Sequence, residues 1–165
     1  MAVILGIDPG LAATGYGVIQ VEGSRLRHLA HGAFTTAPAQ DRGGRLLAIR
    51  DALAAVLERY RPDQAGVESL FFSRNVRSAL PVAEARGVIL MCLADAGVPV
   101  GEHTPLRVKQ AILGHGSADK QQMSAMVRVL FQLGPDEPLP HHAADALAVA
   151  VCHAHSSPLD ERAPE

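Results

Sequence analysis

Three carboxylates stand where an apolar segment meets a boundary. Asp8 closes "AVILGID", Glu68 closes "AGVE", and Asp145 lies in "HHAAD" three residues after His142. An ionised carboxylate at the mouth of a buried strand loses hydration and stays charged only if a cation or strong donors offset that loss. Clustered carboxylates also repel, which raises their pKa values unless a divalent cation binds among them. Hard oxygen donors with few nitrogen or sulfur partners point to Mg²⁺, with Mn²⁺ as a substitute. Singly, each residue has an ordinary reading: Asp8 before Pro9-Gly10 as a turn residue, Glu68 as a local cap, His142 or Asp145 as a helix N-cap. Together, those readings leave three acids at element ends unexplained.

The elements that must position these residues follow from hydrophobic pattern and punctuation. Residues 2–8 read as a strand, 13–21 as a second, "EGS" as the turn, and 25–34 as a third, an antiparallel meander. Residues 42–60 carry Leu46, Ile49, Leu53, Val56, Leu57 and Tyr60 at helical spacing and stop before Pro62. A strand over 64–70, a helix over most of 75–97 and a strand over 98–103 give a parallel βαβ alternation. Two parallel strands ending in acids bring Asp8 and Glu68 to one sheet edge, where ligand sites of open α/β folds lie. Thr104-Pro105 fits an N-cap with proline at the first helical position of "PLRVKQAIL". The Gly-rich loop 114–120 leads to a helix over 121–133, and the loop 134–140 to a last helix over 141–154. There His142 and Asp145, at i and i+3, share one face. The predicted class is α/β, a mixed five-stranded sheet flanked by helices.

Length and composition fit one domain over 1–155, followed by a polar tail, 156–165, that cannot bury enough apolar surface to offset its ordering entropy. No apolar run approaches the roughly 20 residues of a membrane span, and the apolar start lacks a basic n-region, so a cytoplasmic protein is expected. Cys92 and Cys152, outside any metal-ligand spacing, read as reduced core residues.

A net charge of −2 hides a gradient. Residues 1–68 carry seven basic and seven acidic groups, residues 69–133 seven and four, and residues 134–165 one and six. The middle segment is the one able to meet phosphate. It holds both lysines, Lys109 and Lys120, and the adjacent Phe71 and Phe72 beside Arg74 and Arg77. "GHGSADK" could bind phosphate through backbone N–H groups or serve as a plain connection.

At this point the blocks "GIDPG…TGYGVI", "ESLFFSRNVRSAL", "EARGVIL", "VKQAILGHGSADK" and "HHAADALAVA", in order over nearly the whole chain, resemble the RuvC Holliday-junction resolvases of the RNase H-like superfamily. The resemblance implies an RNase H-like nuclease domain that resolves four-way DNA junctions by paired symmetric nicks. It implies phosphodiester hydrolysis with two Mg²⁺ ions, leaving 5′-phosphate and 3′-hydroxyl ends. Asp8, Glu68 and Asp145 take the positions of the family's catalytic carboxylates, with Asp8 bridging the ions. His142 stands where many members carry aspartate; a neutral imidazole lowers the ligand charge and should favour Mn²⁺. Lys109 and Lys120 match positions near the scissile phosphate, with Lys120 counted in the catalytic set; Arg74, Arg77 and Arg107 are expected backbone contacts, and Phe71 matches a ring placed against bases at the junction centre. The extended apolar circumference of 79–97 fits a homodimer interface, and the RuvA–RuvB branch-migration complex is the implied partner. Two rival readings are a junction-binding protein that does not cut and an actin-like ATPase, whose first phosphate loop also reads strand-G-I-D-x-G but which needs two such lobes.

Overall fold

The structure, a computed structural model, describes residues 1–70, 76–117 and 119–156. Phe71, Phe72 and Arg74, and the tail beyond Ser156, lie outside the described residues. Strands β1 (Ala2–Asp8), β2 (Ala13–Glu22) and β3 (Arg25–Thr35) form the expected meander; helix α1 (Arg42–Tyr60), strand β4 (Gln64–Glu68), helix α2 (Val76–Asp95) and strand β5 (Val100–His103) follow, then helices α3 (Pro105–Leu113), α4 (Lys120–Phe131) and α5 (His141–Ser156). The sheet order is β3-β2-β1-β4-β5, antiparallel across β3-β2-β1 and parallel across β1-β4-β5.

Several boundaries differ from the sequence expectation for local reasons. β4 ends at Glu68 rather than residue 70, and β5 begins at Val100, after Pro99. α4 takes in Lys120 because Asp119 caps it: the Asp119 carboxylate accepts from Gln122 N–H while the Gln122 side chain accepts from Asp119 N–H. It stops at Phe131, where Gln132 turns left-handed. α5 runs to Ser156, whose hydroxyl donates to the Cys152 carbonyl at 2.8 Å, so the residue expected to open the tail closes the helix. α2 accommodates Pro81 near its N-terminus.

Alternation along β1 decides what each face receives. Leu5 and Ile7 join Val18, Val67 and the apolar residues of α1 and α2 in one core. Ile4 faces the opposite way, into a second core with Ile19, Val108, Val127, Phe131 and α5. By the same alternation Gly6 and Asp8 share the α5 face with Ile4, and on β4 Gly66 and Glu68 lie opposite the Ala65 and Val67 of the first core.

The α5 face is paved with glycine. A Cβ on Gly6 would meet the Ala146 carbonyl and one on Gly15 the His142 carbonyl; on Gly17 it would lie 2.7 Å from the Leu147 side chain. α5 therefore seats almost on the sheet backbone, and its residues Ala143, Ala144 and every one from Ala146 through His153 are buried. Replacing Gly15 by Ala should destabilise the fold by about 1–3 kcal/mol, because the obstacle is backbone that cannot rotate away. Gly87→Ala, at an α2 position with nothing within 4 Å, should be neutral or stabilising. Thermal denaturation of the two variants checks the contrast.

Candidate functional site

Asp8 and Glu68 each lie one residue beyond the paired Ile7 and Val67, so parallel pairing sets them side by side at one sheet edge. α5 brings the other two groups to that edge: Gly15 admits the helix backbone at His142, and Asp145 follows one turn later. The His142 ring bonds Asp8 directly, Nδ1 to Oδ2 at 2.9 Å. Asp8 is only 14% exposed, whereas His142 is 47% exposed and reaches solvent.

These four residues line one cleft of about 300 Å³ together with Lys109, Lys120, Asp119, Pro105, Val108 and Met123. The structure thus brings together six of the residues singled out by sequence. Lys109 is half-buried on α3 and Lys120 exposed at the start of α4. Arg77 and Arg107 stand elsewhere: Arg77 is exposed in the first turn of α2, and Arg107, exposed on α3, reaches Ser156 at 3.5 Å. Phe71 and Arg74 belong to the segment not described.

The electrostatics carry the mark of crowding. Burial pushes the Glu68 carboxyl up to about 8, with the neighbouring Asp8 and Asp145 charges adding to it and Lys109 opposing. Asp145 is also raised, by burial and then by Asp8, against Lys120, His142 and His141. His142 is raised chiefly by its hydrogen bond to Asp8, in which the protonated ring donates. Three acids gathered this closely, two of them with their ionisation suppressed, are a donor set suited to a divalent cation, which would remove the repulsion.

Sequence reading did not find two features. Asp119 both caps α4 and lines the cleft; its signal, D-x-x-Q before a helical pattern, was readable as a capping box. Behind Glu68, its β5 register partner His103 bonds His153 (Nε2 to Nδ1, 2.9 Å), and His153 Nε2 meets Gln64 Oε1 at 3.0 Å. Burial lowers both rings, His153 to about 4, so the pair stays neutral at physiological pH.

A mixed sheet whose antiparallel meander runs into a parallel βαβ, with acids at the ends of β1 and β4 and a third on a helix seated across the sheet, defines the RNase H-like class of α/β proteins. Residues 4–153 match the family described as crossover junction endodeoxyribonuclease RuvC, and the chain belongs to that family. It is 50% identical over 158 residues to the crossover junction endodeoxyribonuclease RuvC of Chloroflexus aurantiacus, covering 96% of each chain. It is 53% identical over 154 residues to that of Heliobacterium modesticaldum, covering 93% of this chain and 94% of the relative. Among solved structures, T. thermophilus RuvC in complex with a Holliday junction substrate superposes with a TM-score of 0.86 at 40% identity, covering 93% of both chains. A fowlpox virus resolvase, 13% identical with a TM-score of 0.63, shares the fold.

The raised carboxyls fix the sign of a pH dependence. A group whose folded pKa exceeds its unfolded value stabilises the fold fully below the unfolded pKa and loses that contribution as pH rises through the folded one. With chelator present, stability should therefore fall between about pH 4.5 and about pH 8, by on the order of 2–4 kcal/mol. Asp8→Asn should flatten this fall, leaving the chelated protein at least as stable as the parent at the alkaline end. Denaturant melts across that range test both statements.

Proposed function

We propose that this chain resolves four-way DNA junctions by metal-dependent hydrolysis of phosphodiester bonds, nicking two strands symmetrically and leaving 5′-phosphate and 3′-hydroxyl ends. The observation that carries the reading is the convergence of Asp8, Glu68, Asp145 and His142 with Lys109 and Lys120 on a single cleft, in a chain half identical to RuvC relatives over nearly its full length. A related RuvC has been captured with a Holliday junction substrate, which is the substrate class proposed for this chain.

Asp8, Glu68, Asp145 and His142 would hold Mg²⁺ or Mn²⁺, two ions suiting donors spread along a cleft wall. Bound there, divalent ions supply Lewis-acid activation of water and neutralise charge developing on the leaving oxygen. Binding requires Glu68 and His142 to give up the protons their surroundings retain, so metal affinity should grow with pH. Imidazole at position 142 makes the donor set softer than an all-carboxylate one, which favours Mn²⁺. Once its proton is lost, His142 can accept from a water or ligate an ion while its other nitrogen faces Asp8. Lys109 and Lys120, entering from α3 and α4, place fixed positive charge where a scissile phosphate would lie. Lys120 tops a capped helix, so the N-terminal N–H groups of α4 add to that field.

Arg74, Arg77 and Arg107 are assigned to the DNA backbone and Phe71 to stacking at the junction centre. A homodimer suits a substrate with two equivalent strands. Leu80 and Met91 on α2, 57% and 56% exposed, and the apolar groove of about 550 Å³ between α1 and α2 favour α2 as its contact face. Coupling to a RuvA–RuvB branch-migration complex, a cytoplasmic location and a separate tail after Ser156, one residue beyond the expected 1–155 domain, complete the reading. Among the described residues no helix is long and apolar enough to cross a membrane.

Nicking of a labelled four-way junction against a linear duplex of the same sequence, with Mg²⁺, Mn²⁺ or chelator, tests the proposal. Paired, metal-dependent cuts in the junction alone are expected; binding without cutting under either ion would overturn it. Asp8→Asn should lose at least about 10²–10³-fold in cutting, with junction affinity in chelator retained. Phe71→Ala should impair cutting more than junction affinity; equal loss of both would reduce the ring to general stacking.

A further inference from the structure

A second candidate metal site lies away from the carboxylate cleft. His28, His31 and Glu137 each offer one ligand atom, and the three atoms lie within 4.8 Å of one another. Histidines three residues apart on a regular strand point to opposite faces. Here the β2–β3 register shifts: Val18 pairs with Ala30 but Ile19 pairs with His28, leaving Leu29 as the extra residue of a bulge. His28 and His31 therefore share the face that carries α4 and α5. Their rings lie 5.0 Å apart, and the His28 ring packs 6.0 Å from Phe131 of α4.

With both rings neutral, as a metal requires, the hydrogen bonds select the tautomers. A carbonyl only accepts, so His31 Nε2, 2.7 Å from the Pro138 oxygen, carries the proton and His31 Nδ1 presents a lone pair. His28 Nε2 lies 2.8 Å from that lone pair and donates to it. A histidine whose far nitrogen donates to a backbone carbonyl is the arrangement that orients a metal ligand. Burial and the neighbouring His31 hold His28 below its ordinary pKa, favouring the neutral ring a metal requires. Glu137 supplies the third donor from the loop before α5, a loop already tied down by Arg128 to the Gly134 and Glu137 carbonyls at 2.8 and 3.0 Å.

We propose that His28, His31 and Glu137 form a binding site for a borderline transition-metal ion of the Zn²⁺ type, joining β3 to the loop that leads into α5. Two imidazoles and one carboxylate, with a fourth position for water, match zinc rather than magnesium. Occupation moves the His28 proton from Nε2 to Nδ1 and opens the 2.8 Å contact to roughly 3.3 Å, the spacing of donors around a tetrahedral ion. The ion would brace the entry to α5, and with it His142, while taking no part in cleavage.

The test titrates the full chain with Zn²⁺, and with Co²⁺ as a visible probe, in excess Mg²⁺ to occupy the carboxylate cleft. One tight equivalent is expected, raising Tm by roughly 5–10 °C at a hundredfold excess over Kd. His28→Gln, His31→Gln and Glu137→Gln should each weaken it by about 100-fold or more, beyond the effect of losing a supporting partner; His142→Ala should leave it intact. Absence of a tight equivalent, its survival in the His28→Gln/His31→Gln variant, or its loss in His142→Ala would overturn the proposal. Should the histidine variants fail to fold, as circular dichroism would show, Glu137→Gln decides, since its side chain lies on a loop outside the sheet.

Discussion

The close seat of α5 on the sheet is the constraint from which the rest of the structure follows. Helices usually ride above a sheet on a layer of side chains; here Gly6, Gly15 and Gly17 remove that layer, and the helix backbone meets the strand backbone. Only at that distance can His142 Nδ1 reach Asp8 Oδ2 at 2.9 Å. The cost is borne by α5 itself, which must be small and apolar where it touches the strands, and its run of alanines and valines meets that demand. A residue with a bulky side chain on either partner would lift the helix and part the acids together.

The same seat makes the cleft electrostatically expensive. Glu68 and Asp145 are held by elements whose other residues belong to the core, so they cannot swing away to relieve their repulsion. Stability is surrendered at the site and recovered elsewhere, in two apolar cores on opposite sheet faces. Lys109 and Lys120 offset part of the charge from α3 and α4 without entering the carboxylate cluster.

The strands, the helices and the four converging groups were legible in the sequence because each is a local signal: a run of alternating or periodic apolar residues, a proline or glycine stop, an acid at the end. The meander and βαβ order also followed from punctuation. What escaped was non-local. Nothing in "GIDPG" says which of its neighbours a helix about 130 residues away will rest upon, so the clearance that Gly6, Gly15 and Gly17 provide is not readable from the chain. The His103–His153 pair joins a strand and a helix fifty residues apart, with no pattern in either segment. The bulge at Leu29 inverts the face of every β3 residue on one side of it, so counting by twos from "RLRHLAHGAF" sends His28 and His31 apart when the fold places them together. Boundary differences, such as Lys120 entering α4, came from caps whose hydrogen bonds outweigh the helix propensity of the flanking residues.

The two faces of the sheet are thereby divided in their work. The face covered by α1 and α2 takes Leu5, Ile7, Val18 and Val67 and holds no ionisable group of the cleft. The opposite face takes Asp8, Glu68, His28 and His31, because alternation on β1 and β4 and the bulge on β3 all direct side chains that way. One sheet face can serve chemistry only if the other supplies uninterrupted packing, since each buried charge forfeits the apolar contact its position would have made. A helix such as α2, whose inner side is core and whose outer side exposes Leu80 and Met91, is then free to evolve contacts with a partner without disturbing the acids across the sheet.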